Sequence, residues 1–346
     1  MAASAFVLGG TGQIGTEVAK LLALSGWTVT SFDRGSRAPA SELAELGVQR
    51  RVGDRHLAGE LEAALGAGAD VLVDTVAFDA GDALQVAGLA GVVGSVVAIS
   101  SASVYRDLRG RTLDEATREE DFPVLPVPVS EGHPTVAPGA ATYSTRKVAL
   151  ENALLASVLP ATLIRAGAVH GPFSRHAREW FFLKRALDGR RQVLIDYGGA
   201  SRFHTVSTVN VAELVRLAAQ RPGDRVLNCG DPDPPTTLEI ARAAWTHLGR
   251  DAPVEVLLEG AADPEECGGT PWSVPHPFVV DTTAANKGLG YLPATTYAAS
   301  VAATFNWLER EVAPGDWRAL LPQLAAYPWN LFDYEAEDRF LADRHS

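Results

Sequence analysis

The sequence has few of the features that mark membrane, secreted or metal-binding proteins. No run of about eighteen apolar residues is long enough to cross a bilayer, and the N-terminus enters an apolar, strand-like run instead of a basic and then apolar signal segment. The 2 cysteines, Cys229 and Cys267, have neither C-x-x-C spacing nor accompanying histidines. We therefore expect a cytoplasmic protein with free thiols and no metal site.

Positive charge is scarce as well. The chain has 30 basic against 42 acidic residues, which gives a formal net charge of −12. A charge of this sign repels nucleic acids and anionic membrane surfaces, so we expect neither as a partner. The remaining composition, 47% hydrophobic and 21% charged, is typical of a soluble globular enzyme.

Glycines mark the first motif, which lies between an apolar run at 5–8 and a helical pattern at 16–22. Gly9 permits a tight turn, Gly12 lets a pyrophosphate approach the backbone, and Gly15 lets the helix pack on the strand. The helix N-terminus offers its amides to phosphate. The pattern predicts a dinucleotide site with these contacts: Gly9, Thr11, Gly12, Gln13, Ile14 and Gly15.

The second predicted strand, 27–33, ends at Asp33, where a carboxylate binds the ribose hydroxyls of NAD. Arg34 and Arg37 follow, and guanidinium groups there can hold the 2′-phosphate of NADP. The pattern favours NAD and leaves NADP open.

The next strands also end in candidate cofactor contacts. Asp54 and Arg55 follow the third strand, 48–52, and Asp54 is placed to accept the adenine amino group. Ala77 ends a continuous apolar run, 69–77, of the kind that forms central strands of parallel sheets.

This alternation of strands and helices predicts an α/β protein with a Rossmann-type doubly wound parallel sheet, which binds its ligand at the carboxyl ends of the strands. We predict that residues 1–165, with a return at about 203–230, form the dinucleotide-binding domain. Residues 166–202 and 231–346 are expected to form a smaller substrate-binding lobe.

Two polar motifs indicate the class of chemistry. Ser101-Ala102-Ser103-Val104-Tyr105 follows the fifth predicted strand, and Tyr143-x-x-x-Lys147 begins a helix on which both side chains share one face. Together with the glycine motif, they resemble the extended short-chain dehydrogenase/reductase superfamily, in its NAD-dependent epimerase/dehydratase branch. The resemblance covers most of the chain, although Ala166, His170 and Ala284 replace a proline, a tyrosine and a lysine of the family pattern.

The resemblance implies a role for each of these residues. Tyr143 would exchange a proton with the substrate as general acid/base, and Ser101 would bind the same substrate oxygen. Lys147 would hold the nicotinamide ribose and, with the oxidised nicotinamide, stabilise the phenolate. His170 would contact the cofactor, and Ser103 would be a neighbouring polar contact. The family also allows a homodimer.

Three functions remain open, and the first is our leading hypothesis: an NAD(P)-dependent reductase or dehydrogenase acting on a secondary alcohol or ketone. The alternatives are a nucleotide-sugar epimerase with tightly bound NAD and a non-catalytic NAD(P)-sensing protein. We do not expect dehydration, because Ala102 and Ser103 stand where sugar dehydratases carry an Asp-Glu pair.

A nucleotide handle on the substrate is also not expected. Ser201 occupies the position of one arginine that binds sugar diphosphates, and Arg202 is one residue out of register. A second arginine is missing, because no basic residue lies between Arg250 and Lys287. That segment is acidic and suits pyrophosphate poorly: it contains Glu255, Glu259, Asp263, Glu265 and Glu266.

Other candidates for the substrate pocket have competing interpretations. Trp180 and Arg202 could contact the substrate, but Trp180 could equally be a packing residue. Arg175, Arg178 and Arg202 are each expected to be solvated surface charges. The insertion 106–141 is interpreted as a rigid surface loop, with a lid as the alternative.

Overall fold

The computed structural model describes residues 2–261 and 267–344. Asp263, Glu265 and Glu266 of the acidic segment lie outside these residues. The strands are β1 (Ser4–Leu8), β2 (Thr28–Asp33), β3 (Gln49–Val52), β4 (Val71–Asp74), β5 (Val96–Ser101), β6 (Ala161–Ala166), β7 (Ala168–His170), β8 (Gln192–Ile195), β9 (Thr205–Ser207), β10 (Arg225–Cys229) and β11 (Val254–Leu257). The helices are α1 (Gln13–Leu24), α2 (Ser41–Glu45), α3 (Glu60–Leu65), α4 (Ala80–Ala87), α5 (Tyr143–Leu155), α6 (Trp180–Leu187), α7 (Thr208–Gln220), α8 (Thr237–His247), α9 (Thr283–Leu289), α10 (Tyr297–Trp307), α11 (Trp317–Leu320), α12 (Pro322–Ala325) and α13 (Tyr334–Arg344).

Seven parallel strands form the central sheet, in the order β3-β2-β1-β4-β5-β6-β10. The strand order reverses between β1 and β4, which opens a crevice at their carboxyl ends. The predicted Rossmann-type fold is therefore confirmed.

Helices cover both faces of the sheet, which explains why the central strands are apolar throughout. Side chains alternate along β1: Ala5 and Val7 face one core and Phe6 and Leu8 face the other. The first core includes residues of α1 and α7, whereas the second includes residues of α5. Burial on both faces is what a continuous apolar run predicts.

A third core lies outside the main sheet. It contains aromatic residues of α6, α8, α10 and the C-terminal segment, and the short strand pairs β8–β11 and β7–β9 lie nearby. A buried ion pair between Arg185 of α6 and Glu337 of α13 attaches the last helix to this core. The division into two domains at the boundaries given above remains a prediction.

The described residues offer neither a membrane span nor a metal cluster. No helix among them is both long and apolar enough to cross a bilayer. Within 2–261 and 267–344, no group of three or more His, Cys, Asp or Glu residues could hold a metal ion.

Gly15 provides a test of the packing between α1 and the preceding turn. A Cβ at Gly15 would lie 2.1 Å from the backbone oxygen of Gly9, which cannot rotate away. We expect the steric clash in Gly15→Ala to lower the free energy of unfolding by about 1–3 kcal/mol. The higher helix propensity of alanine opposes this change by about 1 kcal/mol. Urea denaturation measures this effect. Gly132→Ala is the control, because a Cβ there meets nothing within 4 Å; equal stability of the two variants would contradict the packing argument.

Candidate functional site

A cleft of about 750 Å³ opens at the carboxyl ends of β1 and β4, where the strand order reverses. Five of the predicted glycine-loop contacts line it: Gly9, Thr11, Gly12, Gln13 and Ile14. Four predicted residues from the ends of β2 and β3 line it as well: Asp33, Arg34, Asp54 and Arg55. Gly15 is buried and packs against the turn.

The glycine turn has the shape that a pyrophosphate needs. Gly9 has a φ of +81°, and its carbonyl accepts a hydrogen bond from the Gly12 amide at 2.8 Å. A Cβ at Gly12 would meet only the Gly9 oxygen, at 3.1 Å. The backbone is therefore open to the cleft at this point, and the first amides of α1 have no intrahelical partner. This cradle fits the pyrophosphate of a dinucleotide.

Gln13 connects the glycine turn to the segment that follows β6. Its side-chain amide donates to the carbonyls of Val169 and Gly171, at 3.3 and 3.4 Å. The cofactor turn and the loop entering the third core are thus joined directly.

Asp33 lies at the end of β2 but is not a free carboxylate. Arg50 of β3 binds both of its oxygens, at 2.6 and 2.9 Å, and the Gly35 amide donates to it at 2.8 Å. Arg37 donates to the Phe173 carbonyl at 2.7 Å. Sequence reasoning missed Arg50, although its place on the strand next to β2 could have indicated it.

Arg55 lines the cleft, but its guanidinium is paired within the protein. Its guanidinium is 2.6 Å from Asp74 and 3.5 Å from Asp82, and the residue is only 6% exposed. The Asp54 amide donates to Glu60 at 2.6 Å, which fixes the turn after β3. A direct contact of Asp54 or Arg55 with the cofactor remains a prediction.

The predicted catalytic residues meet at the end of β5 and the start of α5. Thr142 caps α5 and Tyr143 is its first residue, and the Ser101 hydroxyl is near enough to the phenol to lower the pKa of Tyr143. Ser101 also donates to the Ser103 hydroxyl at 3.0 Å, which lies 2.8 Å from the Ser144 hydroxyl. Tyr143 is 40% exposed and so remains accessible to a substrate.

Lys147 lies one turn further along α5 and is buried. Its ammonium donates to the carbonyls of Ala77 and Ile99, at 2.7 and 2.9 Å, and lies 5.5 Å from the Tyr143 ring centroid. Burial lowers the pKa of Lys147 to about 8, although the nearby carboxylates, Asp74 foremost, oppose this shift. Ala77, a predicted cofactor contact, therefore also holds the ammonium of Lys147.

The surroundings of Tyr143 favour its neutral form. Removal of water from the phenol is the largest effect and raises the pKa of Tyr143, and the negative charge of Asp114 raises it further. The nearby Ser101 hydroxyl and the positive charge of Arg178 oppose this shift but do not cancel it. Because the pKa of Tyr143 lies above its usual value and that of Lys147 lies near 8, the lysine loses its proton first in the cofactor-free chain.

A buried ion pair fixes helix α5 on the side of the sheet. Arg165 of β6 binds both oxygens of Glu151, at 2.6 and 3.0 Å, and the Ser100 hydroxyl donates to Glu151 at 2.6 Å. Glu151 is one turn after Lys147 on α5, and this i, i+4 spacing was the only signal for it in the sequence. The pair fixes α5 to β5 and β6.

Comparison of the chain with known protein families identifies the family to which it belongs. A model described as the NAD dependent epimerase/dehydratase family matches residues 5–230. The chain belongs to that family. No curated protein matches the chain significantly.

Solved structures of similar fold share little sequence with this member of the epimerase/dehydratase family. A dTDP-glucose 4,6-dehydratase from Bacillus anthracis, in complex with NAD, is 17% identical with a TM-score of 0.66, and the match covers 92% of this chain and all of that one. A UDP-glucose 4-epimerase from Bifidobacterium longum, in complex with NAD⁺ and UDP, is 17% identical with a TM-score of 0.66, covering 89% and 98%. A UDP-galactose 4-epimerase is 20% identical with a TM-score of 0.64, covering 89% and 99%.

These comparisons bear on two of the expectations. The family is NAD-dependent and several of the similar structures contain NAD, which confirms the predicted cofactor. Because a dehydratase is among the similar structures, the expected absence of dehydration is not supported by them. That expectation depends on the residues beside Ser101 alone.

His170, which replaces a tyrosine of the family pattern, is buried at the end of β7. Its Nε2 lies 2.9 Å from Asp231, and its ring packs edge-on against Tyr297. Hydrogen bonds, that of His170 foremost, hold the pKa of Asp231 below its usual range although burial opposes this. The Nδ1 atom of His170 has no partner among the described residues, so a contact with the cofactor remains a prediction.

The predicted substrate contacts are not brought together. Ser103 belongs to the hydroxyl chain at Ser101, but Trp180 is 3% exposed within the third core. Arg202 donates to the carbonyl of Pro234. A substrate role for Trp180 or Arg202 therefore remains a prediction without support from this geometry.

Sequence reasoning missed two charged residues at the site. Asp114, in the 106–141 insertion, accepts a hydrogen bond from the Ser144 amide at 2.7 Å and so anchors the insertion at the start of α5. Arg178, interpreted from the sequence as a surface charge, acts on the pKa of Tyr143. Sequence spacing carried no signal for either contact.

The pKa of Lys147 can be tested by NMR, because the chain has only four lysines. In protein labelled with ¹³C at the lysine ε-carbon, we expect the Lys147 signal to titrate with a midpoint of about 8. In the unfolded chain the lysine keeps its ordinary pKa of 10.5. Burial of the ammonium therefore lowers the free energy of unfolding fully below pH 8, and this loss of stability disappears as the pH rises from 8 to 10.5.

Lys147→Met identifies the signal and serves as the control. In that variant the free energy of unfolding should lose its rise between pH 8 and 10.5. A midpoint near 10.5 for the Lys147 signal would contradict the burial of the ammonium.

Proposed function

We propose that this protein is an NAD-dependent oxidoreductase that transfers hydride between the nicotinamide and a secondary alcohol or ketone of a small molecule. The observation that carries this proposal is the arrangement of Tyr143, Ser101 and Lys147 beside a glycine turn that fits a dinucleotide. NAD supplies the hydride acceptor or donor, and the protein supplies orientation and proton transfer.

In the direction of oxidation, Tyr143 accepts the proton of the substrate hydroxyl. The Ser101 hydroxyl, once it rotates from Ser103 toward the substrate, donates its single O–H to the same oxygen and holds it against the phenol. In reduction, Tyr143 returns a proton to the new hydroxyl. The Ser103 amide donates to the Ser101 oxygen at 3.1 Å, which holds the Ser101 side chain in place for this exchange.

Lys147 has two tasks in this mechanism. Two of its three N–H donors are used by the carbonyls of Ala77 and Ile99, so one remains for a ribose hydroxyl. Its position near the Tyr143 ring adds positive charge where a phenolate forms. The pKa of Tyr143 is raised by burial, so the charge of Lys147 alone would not bring it near neutral pH. The positive charge of oxidised nicotinamide would lower the pKa of Tyr143 further.

The surroundings of Ser201 support a substrate without a nucleotide handle. Ser201 is buried, and its hydroxyl donates to the Val274 carbonyl at 2.7 Å. The neighbouring Arg202 is bound to Pro234. Neither side chain is available for a pyrophosphate.

We also propose that the reaction is not a dehydration. Ala102 is buried, and neither Ala102 nor Ser103 has a carboxyl group to supply the acid and base that remove water.

Two alternatives are tested together by the state of the cofactor. An epimerase retains NAD through purification and consumes no NADH, whereas a dehydrogenase exchanges its cofactor at every turnover. Mass spectrometry of the nucleotides released on denaturation, followed by titration of the emptied protein with NADH and NADPH, distinguishes these cases. Stoichiometric NAD that does not exchange would contradict the proposed function. A non-catalytic sensor would bind NADH and turn over no alcohol or ketone.

Tyr143→Phe tests the catalytic assignment. Loss of the phenolic hydroxyl removes the general acid/base, so we expect kcat to fall by about 10²- to 10⁴-fold while NAD affinity stays unchanged. Absorbance of NADH with a panel of secondary alcohols and ketones measures turnover. Tyr334→Phe, which removes a hydroxyl from the surface of α13, is the matched control; turnover by Tyr143→Phe at the rate of this control would refute the assignment.

A further inference from the structure

Arg178 lies in the segment between β7 and α6 and packs against two aromatic rings. Its guanidinium carbon is 5.3 Å from the centroid of Phe203 and 5.6 Å from that of Trp272. Aromatic faces hold a guanidinium by its plane and leave the N–H donors at its edge available. The side chain is therefore positioned without using its hydrogen-bonding capacity.

Arg178 has no counter-ion among the described residues. Its side chain forms no salt bridge or hydrogen bond within the described part of the chain, and its Nε atom is buried without a partner. Nearby arginines differ in this respect, because Arg165, Arg185 and Arg190 are each paired with a carboxylate. A partly buried guanidinium without a partner is costly unless a ligand completes it.

The charged groups around Arg178 do not neutralise it. Glu179 follows it in the chain, but burial raises the pKa of that carboxyl, and its Oε1 atom has no partner in the described residues. His176 stays neutral, because its pKa is lowered to about 2. Burial is the main cause of this shift, and the charge of Arg178 adds to it. The positive charge of Arg178 is thus left unmatched.

The location of this charge connects it to the reaction. Phe203, which stacks on Arg178, also packs against the cluster of Ala102 and Tyr105, directly after Ser101 in the chain. Arg178 is also close enough to Tyr143 for its charge to stabilise the phenolate. The guanidinium therefore lies near the candidate catalytic residues Tyr143 and Ser101.

We propose that Arg178 binds an anionic group of the substrate, so that the reacting alcohol or ketone belongs to a small molecule with a carboxylate or phosphate. Both groups present paired oxygens that match the edge of a planar guanidinium. This inference rests on the proposed function, since it names the substrate class of the same site.

The test is calorimetric titration of the protein saturated with NAD, using matched charged and neutral probes. Lactate is compared with lactamide, and glycerol 3-phosphate with glycerol. We expect at least one charged probe to bind about tenfold or more tightly than its neutral partner, and the preferred pair distinguishes a carboxylate from a phosphate. Equal binding of charged and neutral probes, or no binding of either anion, would overturn the proposal.

Variants of Arg178 assign the effect to this residue. Arg178→Gln should abolish the preference for the anion, and Arg178→Lys, which keeps the charge but lacks the planar fork, should weaken it by about tenfold. Arg310→Gln, which changes an exposed arginine paired with Glu311, is the control and should bind the probes as the unmodified protein does. Anion binding by Arg178→Gln at the strength of the control would overturn the proposal.

The proposal and the proposed function can fail separately. Turnover of neutral ketones with no preference for anionic ones would overturn the role of Arg178 and leave the oxidoreductase intact. Selective anion binding through Arg178 without hydride transfer to any probe would keep its role and contradict the oxidoreductase. UDP is included as a further probe: if it binds far more tightly than glycerol 3-phosphate, and only when Arg178 is present, the substrate has a nucleotide handle after all.

Discussion

The buried ammonium of Lys147 is the interaction on which the candidate site depends. It joins three parts of the fold, because α5 carries it while the turn after β4 and strand β5 supply the two carbonyls that accept its hydrogen bonds. Glu151 and Arg165 then fix the same helix to β6. Since Tyr143 is on the same helix, the position of the phenol relative to Ser101 follows from these buried contacts.

Burial of this charge sets the chemistry as well as the geometry. An ammonium removed from water releases its proton more readily, and a phenol removed from water holds its proton more firmly. The cofactor-free site is consequently a poor base, since both shifts oppose the formation of a phenolate beside a charged lysine. Oxidised nicotinamide would reverse this by adding positive charge close to the phenol, so that the base would be activated only when the hydride acceptor is present.

Much of the fold could be predicted from the sequence, because local patterns carry it. The apolar runs at β1, β4 and β5 and the spacing of Gly9, Gly12 and Gly15 depend on neighbours in the chain, and Tyr143 and Lys147 share a helix face for the same reason. The contacts that tune the site are long-range. Arg50 reaches Asp33 from the adjacent strand, and Asp114 reaches α5 from an insertion with little regular structure. Arg178 was interpreted as a solvated charge because nothing near it in the sequence reveals that it packs against Phe203 and Trp272.

The most direct test of this account is an ultraviolet difference titration of the Tyr143 phenol, with the Tyr143→Phe variant as the reference, in the absence and presence of saturating NAD⁺. The account predicts that without cofactor the phenolate forms only above the ordinary tyrosine value of 10.0. With NAD⁺ bound, it should form at a distinctly lower pH. The same titration curve with and without NAD⁺ would contradict the claim that the cofactor activates the base.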